Sequence, residues 1–197
     1  MSALVRELWA SAAMTCALAV ILCGAYPTAV FVVDQSVFPV KANGSIVYQD
    51  GIAVGSRLVG QEFRDARYFH PRPSEAGSGY DGNASSGSNL EPTAGELVKS
   101  VDERILKYRE ENDLDMDTAV PADAVMASAS GLDPHISLEN AMIQAVRVAR
   151  VRGWDSDRMG RLVKKNTEGR RFGLLGEPRV NVLLLNITLD RESAEKR

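Results

Sequence analysis

The chain has 197 residues, which suits one domain and an anchor rather than two full domains, since compact domains usually run to roughly 100 to 200 residues. Its 45% hydrophobic and 25% charged residues are typical of a globular protein and exclude a disordered or collagen-like chain. Lys and Arg number 23 against 26 Asp and Glu, so a net charge of -3 gives no long-range attraction to phosphate backbones, and nucleic acid is not an expected partner.

The first predicted element is a membrane-spanning helix over residues 8–33, with residues 1–7 as a tail. This run of 26 residues carries no charged side chain, and as a helix it is longer than the hydrocarbon core of about 30 Å. The alternative, a cleaved signal peptide, has an apolar region of only about 7 to 15 residues. We therefore expect the helix to be retained. Gly24 and Pro27 lie late in the run, where a kink or an early exit from the helix would be tolerated.

Four small residues, Ala12, Cys16, Ala19 and Cys23, recur at three- and four-residue spacing along this run. On a helix they share one face, and small residues let a second helix approach closely. We therefore predict that this face packs against partner helices. No cysteine follows Cys23, so residues 34–197 contain neither a disulfide nor a thiol metal site.

Residues 34–197 are predicted to form one soluble domain. Asp50-Gly51 separates two short apolar runs and predicts a hairpin with a type I′ turn. Residues 74–89 are rich in Ser and Gly and show neither helical nor strand periodicity, which predicts a long loop. Such loops are usually binding surfaces or flexible insertions, and both readings stay open.

Three helices are predicted at residues 94–111, 138–152 and 155–166, the second capped by Ser137. The apolar, β-branched run 180–189 predicts a buried strand. Strands first, helices in the middle and a strand at the end predict an α+β domain with a small antiparallel sheet.

Within the second predicted helix, Ile143, Val146 and Ala149 fall on one face at helical spacing. Arg147 and Arg150 flank this face. The spacing predicts that the three apolar residues enter the core and that the arginines stay at its edge.

The chain shows no motif for a bound nucleotide or metal. Gly55 and Gly60 have phosphate-loop spacing, but Gln61 and the glutamate after it stand where Lys and Ser or Thr are required. His70 and His135 are the only histidines, too few for a zinc site without thiols. We therefore predict no catalytic residue, no metal site and no firmly bound cofactor.

Ser128, Ser130, Asp133 and His135 lie close together in sequence and suggest a hydrolase as an alternative. The G-x-S-x-G elbow that presents a nucleophilic serine is missing, and a triad is defined by geometry rather than by proximity in sequence. Asp133-Pro134 more naturally makes a turn before the Ser137 cap.

Short motifs follow one another along most of the chain. In order, they are Tyr26-Pro27, Ala42-Asn43-Gly44-Ser45, Gly55-Ser56 to Gly60-Gln61-Glu62-Phe63, Tyr68-Phe69-His70, Arg72-Pro73-Ser74, Ser86-Gly87-Ser88-Asn89-Leu90, the run from Ser128 to Ser137, Arg147-Val148-Ala149, Gly176-Glu177-Pro178-Arg179-Val180-Asn181-Val182, and Leu185-Asn186. Together they resemble one family, the C subunit of the Kdp-type potassium-transporting ATPase, a bacterial uptake pump.

The resemblance implies a non-catalytic accessory subunit beside a channel-like potassium-binding subunit and a P-type subunit that hydrolyses ATP. It implies a single-pass protein of the bacterial inner membrane, with a cytoplasmic N terminus and an extracytoplasmic domain. Arg6 and the terminal amine against Lys41 give only a slight bias to that orientation. A membrane-anchored module that binds a small solute in the Ser/Gly loop remains the alternative.

The family is described as a catalytic chaperone that raises the ATP affinity of the hydrolysing subunit. An extracytoplasmic domain argues against direct contact with ATP and favours linkage through the conformation of the pump. If contact exists, Gln144, Ser86, Ser88 and Asn89 are the expected residues. The expected partner-interface residues are the four small residues of the helix together with Gln61, Arg72, Pro73, Asn89, Asp133, His135 and Asn181.

Overall fold

The computed structural model describes residues 2–194 and forms two compact units, one ending at Ile46 and one beginning at Val47. The first unit is mainly helical, and its elements are α1 (Ala3–Ala19), a π-helical segment (Val20–Ala25), α2 (Tyr26–Val37) and the short α3 (Pro39–Ala42). Together the first three form one apolar helix, Ala3–Val37, of 35 residues that is long enough to cross a membrane. At 1.5 Å per residue its length is about 53 Å, so it extends beyond the predicted span 8–33 at both ends.

The chain stays helical through Pro27. The π-helical segment Val20–Ala25 directly precedes the turn that contains this proline. A proline inside a helix lacks an N–H and collides with the carbonyl four residues earlier, and a wider turn is one way to relieve that collision. The helix therefore does not exit early at Gly24 or Pro27 but continues to Val37.

The predicted hairpin follows the helical part of the chain. Strands β1 (Ile46–Gln49) and β2 (Ile52–Ser56) pair in a two-stranded sheet. Between them Asp50 has φ 51° and Gly51 has φ 79°, the two positive values that a type I′ turn requires. The hairpin prediction is confirmed.

Helices and a second small sheet make up the rest of the described chain. The elements are α4 (Gly95–Asn112), α5 (Ala122–Val125), β3 (His135–Ser137), α6 (Leu138–Arg152), α7 (Ser156–Lys165), β4 (Thr167–Glu168), β5 (Arg179–Asn181) and α8 (Val182–Ala194). The sheet order is β3-β5-β4, and β5 pairs antiparallel with both neighbours, so that Val180 faces Ile136 and Thr167. The α+β prediction is confirmed.

The caps explain why α6 and α7 begin where the sequence predicted. The Ser137 hydroxyl accepts a hydrogen bond from the Asn140 N–H at 3.0 Å, and the Asp155 carboxylate accepts one from the Arg158 N–H at 2.9 Å. Helix α6 ends at Arg152 and is followed by the cap residue Gly153, whose φ of 64° suits a residue without Cβ.

The prediction of a strand over residues 180–189 is wrong beyond Asn181, because α8 begins at Val182. The Asn181 side chain accepts a hydrogen bond from the Leu184 N–H at 3.1 Å and so caps the helix. Most of the first three turns of α8 is buried, and an apolar run that is buried all round carries no period by which to distinguish helix from strand.

The predicted core face of α6 is only partly correct, because Ala149 is buried as predicted but Ile143 is only half-buried. Val146 is 57% exposed, whereas Ala145 and Val148 are buried. Gln144 and Arg147 are buried with them. The core face is therefore rotated from the predicted one. It carries small and polar side chains, and the polar ones form hydrogen bonds with other parts of the fold.

The hydrophobic core lies between α6, α7, α8 and the three-stranded sheet. Phe69 comes from the segment that precedes the Ser/Gly loop and is fully buried in it. The other buried members are Ile136, Ala141, Ala145, Val148, Ala149, Met159, Leu162, Val163, Val180, Val182, Leu185 and Leu189.

Candidate functional site

Gln144 lies at the centre of the candidate site, on the buried face of α6. Its side-chain oxygen accepts from the His70 N–H at 2.7 Å and from Arg147 at 2.9 Å. Its amide nitrogen donates to the His70 carbonyl at 3.0 Å and to the Asn140 side chain at 2.8 Å. These four bonds use every donor and acceptor of a glutamine amide. The first role of Gln144 is thus to hold the segment at His70 in place.

Arg147, one turn further along α6, is a buried cation held by backbone carbonyls. It donates to the carbonyls of Ala66 at 2.6 Å and Tyr68 at 3.1 Å, and to the Asn112 side chain at 3.0 Å. Burial lowers the pKa of its guanidinium, and the nearby Glu111 opposes that effect. A buried charge bound in this way fixes the path of residues 66–70 over the helix.

Asn186 of α8 repeats the arrangement one residue earlier in the segment. Its side-chain oxygen accepts from the Phe69 N–H at 2.9 Å, and its nitrogen donates to the Phe69 carbonyl at 3.0 Å. Gln144 and Asn186 therefore hold consecutive residues from two helices. Buried backbone groups need such partners where no strand pairs with them.

A hydrogen-bonded row continues from this centre to the start of α6. The Tyr108 hydroxyl donates to the Asn140 side chain at 2.8 Å, and Asn140 donates to Asp123 at 3.1 Å. Asp123 also accepts from the Ser137 N–H at 2.7 Å and from its hydroxyl at 2.9 Å. Burial raises the pKa of Tyr108, so this phenol stays protonated and keeps donating.

Beside this row lies a cleft of about 500 Å³, lined in part by Gln144, Tyr80, Pro73 and residues of α4. Such a volume is in the range of small-molecule sites. Its charges are mostly paired within the fold: Arg104 contacts Glu75 at 2.5 Å, Lys107 contacts Glu111 at 3.7 Å, and the His70 ring contacts Glu111 at 3.5 Å. Among the described residues, no group of three or more His, Cys, Asp or Glu is placed to hold a metal.

The Ser/Gly loop 74–89 is fixed by its own hydroxyls. The Ser74 hydroxyl donates to the Gly131 carbonyl at 2.6 Å and accepts from the Tyr80 N–H at 2.8 Å. The Tyr80 hydroxyl donates to the Arg72 carbonyl at 2.7 Å, and burial raises the pKa of Tyr80 to about 12. The sequence left two predictions open for this loop, a binding surface or a flexible insertion. These hydrogen bonds hold the loop in one conformation and so argue against a flexible insertion.

Of the predicted nucleotide-linked residues, only Gln144 lies in the cleft. Ser86 is half-buried and donates its N–H to the Ser130 carbonyl at 3.1 Å. Ser88 and Asn89 are exposed, and Asn89 has φ 53°. The structure therefore does not bring these four residues into one site, and their link to a nucleotide stays a prediction.

Arg72, Asp133 and His135 come together in the fold as part of a row of contacting basic and acidic side chains. Arg72 contacts Asp133 at 3.2 Å, and the His135 ring contacts the same carboxylate at 3.1 Å. Beyond it the ring faces Glu168 at 3.8 Å, which in turn contacts Arg179 at 3.1 Å. This row of contacts links the loop before β3 to β4 and β5.

The same contacts exclude the hydrolase arrangement. The His135 ring faces Asp133 and Glu168, and no hydrogen bond joins it to Ser128 or Ser130 within residues 2–194. The Ser130 hydroxyl instead accepts from the Leu132 N–H at 3.2 Å. These serines shape a turn.

Two other predicted interface residues act within the fold. The Gln61 amide lies over Gly55 and donates to the Val54 carbonyl at 3.4 Å. Buried Asn181 donates to the Arg57 carbonyl at 2.9 Å in addition to capping α8. A partner contact at these positions stays a prediction.

The small residues of the membrane helix are all exposed in the isolated chain. Ala12, Cys16 and Ala19 lie in α1 and Cys23 in the π-helical segment. Both cysteines are free thiols. Their predicted partner contact stays a prediction.

The family model for KdpC, K+-transporting ATPase, c chain, matches residues 8–191. The chain belongs to this family. The Potassium-transporting ATPase KdpC subunit of Mycobacterium tuberculosis (strain ATCC 25618 / H37Rv) is 50% identical over 186 residues, covering 94% of this chain and 98% of that protein. The subunit of the same name from Myxococcus xanthus is 54% identical over 183 residues, 92% and 86% of the two chains, and that of Nitratidesulfovibrio vulgaris (strain DSM 19637 / Miyazaki F) is 50% identical over 191 residues, 96% and 95%.

Membership in the KdpC family confirms the resemblance seen in the sequence motifs. The family consists of subunits of the K+-transporting ATPase, so the chain is an accessory subunit of a complex and not an enzyme on its own. It implies partner subunits, and the apolar helix Ala3–Val37 fits anchoring in a membrane.

Sequence reasoning missed Asn140, Arg147 and Asn186 as organising residues. Asn140, Gln144 and Arg147 recur at four- and three-residue spacing, so they form a polar stripe on one face of α6. A polar stripe between apolar neighbours was the available signal. What it could not show was that Gln144 and Arg147 bind backbone groups 74 and 79 residues away in sequence.

Proposed function

We propose that this chain stabilises an ATP-driven potassium uptake pump and acts as a catalytic chaperone that raises the ATP affinity of the hydrolysing subunit. Its partners are the channel-like potassium-binding subunit and the ATP-hydrolysing subunit of the same pump. Its helix lies in the bacterial inner membrane, with the N terminus in the cytoplasm and the second unit outside it. ATP acts through the catalytic subunit.

The observation that carries the mechanism is the saturation of Gln144. All four hydrogen-bonding positions of its amide are occupied within the fold, and its partners His70 and Arg147 are occupied in turn. A nucleotide that contacted Gln144 would have to break these bonds and leave buried groups unpaired, which costs about 1 to 3 kcal/mol for each group. Direct recognition by this residue is therefore disfavoured.

Linkage supplies the effect without contact. A subunit that binds one conformation of the pump better than another shifts the pump towards that conformation and changes its apparent ATP affinity. The second unit is suited to this because the clamped segment 66–70 and the fixed loop 74–89 give it one defined surface. A rigid surface discriminates between two shapes of a partner better than a flexible one.

The test compares the complete pump with a complex prepared without this chain. Coupling free energies are typically about 1 to 3 kcal/mol, so the apparent KM for ATP should rise by about 5- to 150-fold when the chain is absent. In parallel, the full-length chain alone in detergent is titrated with ATP by calorimetry. We expect no binding at micromolar concentrations.

The two arms separate the mechanisms. An unchanged KM for ATP in an intact complex without this chain would contradict the chaperone role altogether. Binding of ATP to the isolated chain in the low micromolar range would retain the role but replace linkage by direct contact. Potassium transport is measured for both complexes under the same conditions, as the control that each complex is assembled.

Orientation is a separate part of the proposal. A cysteine introduced at exposed Asp50, in a chain whose Cys16 and Cys23 are changed to Ser, should react with a membrane-impermeant maleimide added to intact cells stripped of their outer membrane. Labelling only after lysis would place the second unit in the cytoplasm instead.

A further inference from the structure

Between β4 and β5 the chain makes a tight turn at residues 170–176, here named the apolar tip. The Arg171 N–H donates to the Leu175 carbonyl at 2.8 Å, and the Leu175 N–H donates back to Arg171 at 3.0 Å. Phe172 and Gly173, between them, both have positive φ, of 54° and 74°. The turn is thus closed by its own backbone, and a bulky residue is held in a conformation that such residues rarely adopt.

The apolar tip carries the two most exposed large apolar side chains in the described part of the second unit, Phe172 and Leu174. Phe172 is 91% exposed, Leu174 82% and Leu175 64%. Because the backbone of the turn is hydrogen-bonded, the exposure follows from a defined conformation. Contiguous exposed apolar groups on a protein surface mark a site that binds another protein or a membrane.

Basic side chains border the apolar groups. Arg170 makes two contacts of 2.8 Å with the Glu177 carboxylate at the base of the turn. Arg171 is exposed and forms no ion pair within the part of the chain that the structure describes. The tip therefore combines one aromatic ring, two leucines and an uncompensated positive charge, the composition of segments that lie at an anionic membrane surface.

The length of the linker puts a bilayer within reach of the second unit. The helix that can span a membrane ends at Val37, and the second unit begins at Val47. Ten residues reach at most about 36 Å even when fully extended. A unit of this size has a radius of gyration of about 15 Å, so a linker of this reach allows its surface to touch the bilayer.

We propose that the apolar tip inserts into the surface of the bilayer on the side of the second unit, with Phe172 and Leu174 at the acyl-chain boundary and Arg171 at the anionic headgroups. The contact would give the second unit a second point of attachment beside its helix. It would restrict rotation of the unit about the linker between residues 37 and 47.

The test places an environment-sensitive label in the assembled complex. Leu174→Cys, in a chain with Cys16→Ser and Cys23→Ser, is labelled with NBD, and the complex is reconstituted into vesicles of phosphatidylcholine and phosphatidylglycerol. Leu106→Cys, at an exposed leucine of α4, is the matched control. We expect a blue-shifted NBD emission and strong quenching by doxyl lipids at position 174, and neither effect at position 106.

Charge reversal tests the headgroup contact. Arg171→Glu should lower doxyl quenching at position 174 several-fold in vesicles with phosphatidylglycerol, and less in vesicles of phosphatidylcholine alone. Quenching of the label at position 174 by aqueous iodide, to the same extent as at position 106, would overturn the proposal. A blue shift without lipid quenching would also overturn it, because a partner subunit would then cover the tip.

Discussion

Gln144 and His70, 74 residues apart in sequence, are joined by two hydrogen bonds. The His70 N–H donates to the Gln144 side-chain oxygen at 2.7 Å, and the Gln144 side-chain nitrogen donates to the His70 carbonyl at 3.0 Å. The side chain supplies the donor and acceptor that a neighbouring strand would otherwise supply. With Asn186 acting in the same way on Phe69, two helices replace a sheet as the support of this segment. The candidate site thus depends on polar groups whose first task is to hold the fold together.

Gln144→Ala is expected to lower the free energy of unfolding by about 2 to 4 kcal/mol. The change leaves two backbone groups of His70 and one position on Arg147 without partners, and each buried unsatisfied group costs about 1 to 3 kcal/mol, with some relief from water. Denaturation of the detergent-solubilised chain by urea, followed by circular dichroism, measures the loss.

Val146→Ala is the matched control, because Val146 lies on the same helix but is exposed. Its effect should stay within about 0.5 kcal/mol. Equal stabilities of Gln144→Ala and Val146→Ala would mean that the amide is replaceable and that the clamp is not needed for the fold.

A second prediction concerns Gly131, which packs against the backbone of the loop 74–89. Its φ is 66°, and an added Cβ would lie 2.5 Å from the Ser86 carbonyl oxygen and 2.7 Å from the Ala76 nitrogen. Since both contacts are to backbone, Gly131→Ala must move the loop. We expect a loss of about 2 kcal/mol or more in unfolding free energy, measured as above, with increased protease cleavage within the loop.

Gly153→Ala separates collision from backbone strain. Gly153 has nearly the same φ, 64°, and an added Cβ there meets no atom within 4 Å. Strain alone should cost about 1 kcal/mol and leave the loop resistant to protease. If both variants lose the same stability and resist protease equally, the packing of Gly131 against the loop is unimportant.

How much of the molecule could be predicted depended on whether the signal was local. The Asp50-Gly51 turn and the Ser137 cap depend on neighbouring residues, and both were predicted correctly. The prediction of a strand at 180–189 failed because this apolar run has no periodicity that distinguishes a strand from a helix, and Asn181 caps a helix there.

The candidate site was less predictable because its partners are remote. Arg147 was placed at the edge of α6, since a charged side chain is rarely buried unless it is paired. Its partners are carbonyls at residues 66 and 68, and only the folded chain brings them together. The family resemblance predicts Gln144 as a nucleotide-linked residue, and it does not indicate that the side chain binds the backbone of His70.

The Asp133 carboxylate makes stability depend on pH. Burial raises its pKa, but hydrogen bonds from His135 and the positive charges of His135 and Arg72 outweigh burial and hold the pKa below its ordinary value. A group whose pKa is depressed by folding stabilises the fold above its ordinary pKa, and this stabilisation is lost as pH falls through the folded value. Asp133→Asn should therefore lower the melting temperature at pH 7.

The difference between wild type and Asp133→Asn should shrink below about pH 4, as the carboxylate becomes protonated first in the unfolded chain and then, at lower pH, in the folded one. Thermal melts in detergent from neutral to acidic pH measure it. Asp113→Asn, at an exposed carboxylate beside Arg150, is the control and should follow the wild type throughout. A constant gap between wild type and Asp133→Asn down to pH 2 would show that the carboxylate acts through shape rather than charge.

The small-residue face of the membrane helix predicts an effect on assembly. Ala19 lies on the face with Ala12 and Cys16 and is exposed in the isolated chain. A leucine there would keep a partner helix from approaching closely, and helix contacts in membranes depend on such packing. Ala19→Leu should therefore reduce recovery of the partner subunits several-fold when this chain is used for purification.

Ala17→Leu carries the same change on another face of the helix, about 200° from Ala19 at 100° per residue. It should leave recovery unchanged, because the added side chain would face lipid. The second unit should melt at the same temperature in both variants, since the substitution lies in the first unit. Full recovery of partners with Ala19→Leu, or equal losses with both variants, would contradict a specific contact through this face and would leave the helix as an anchor alone.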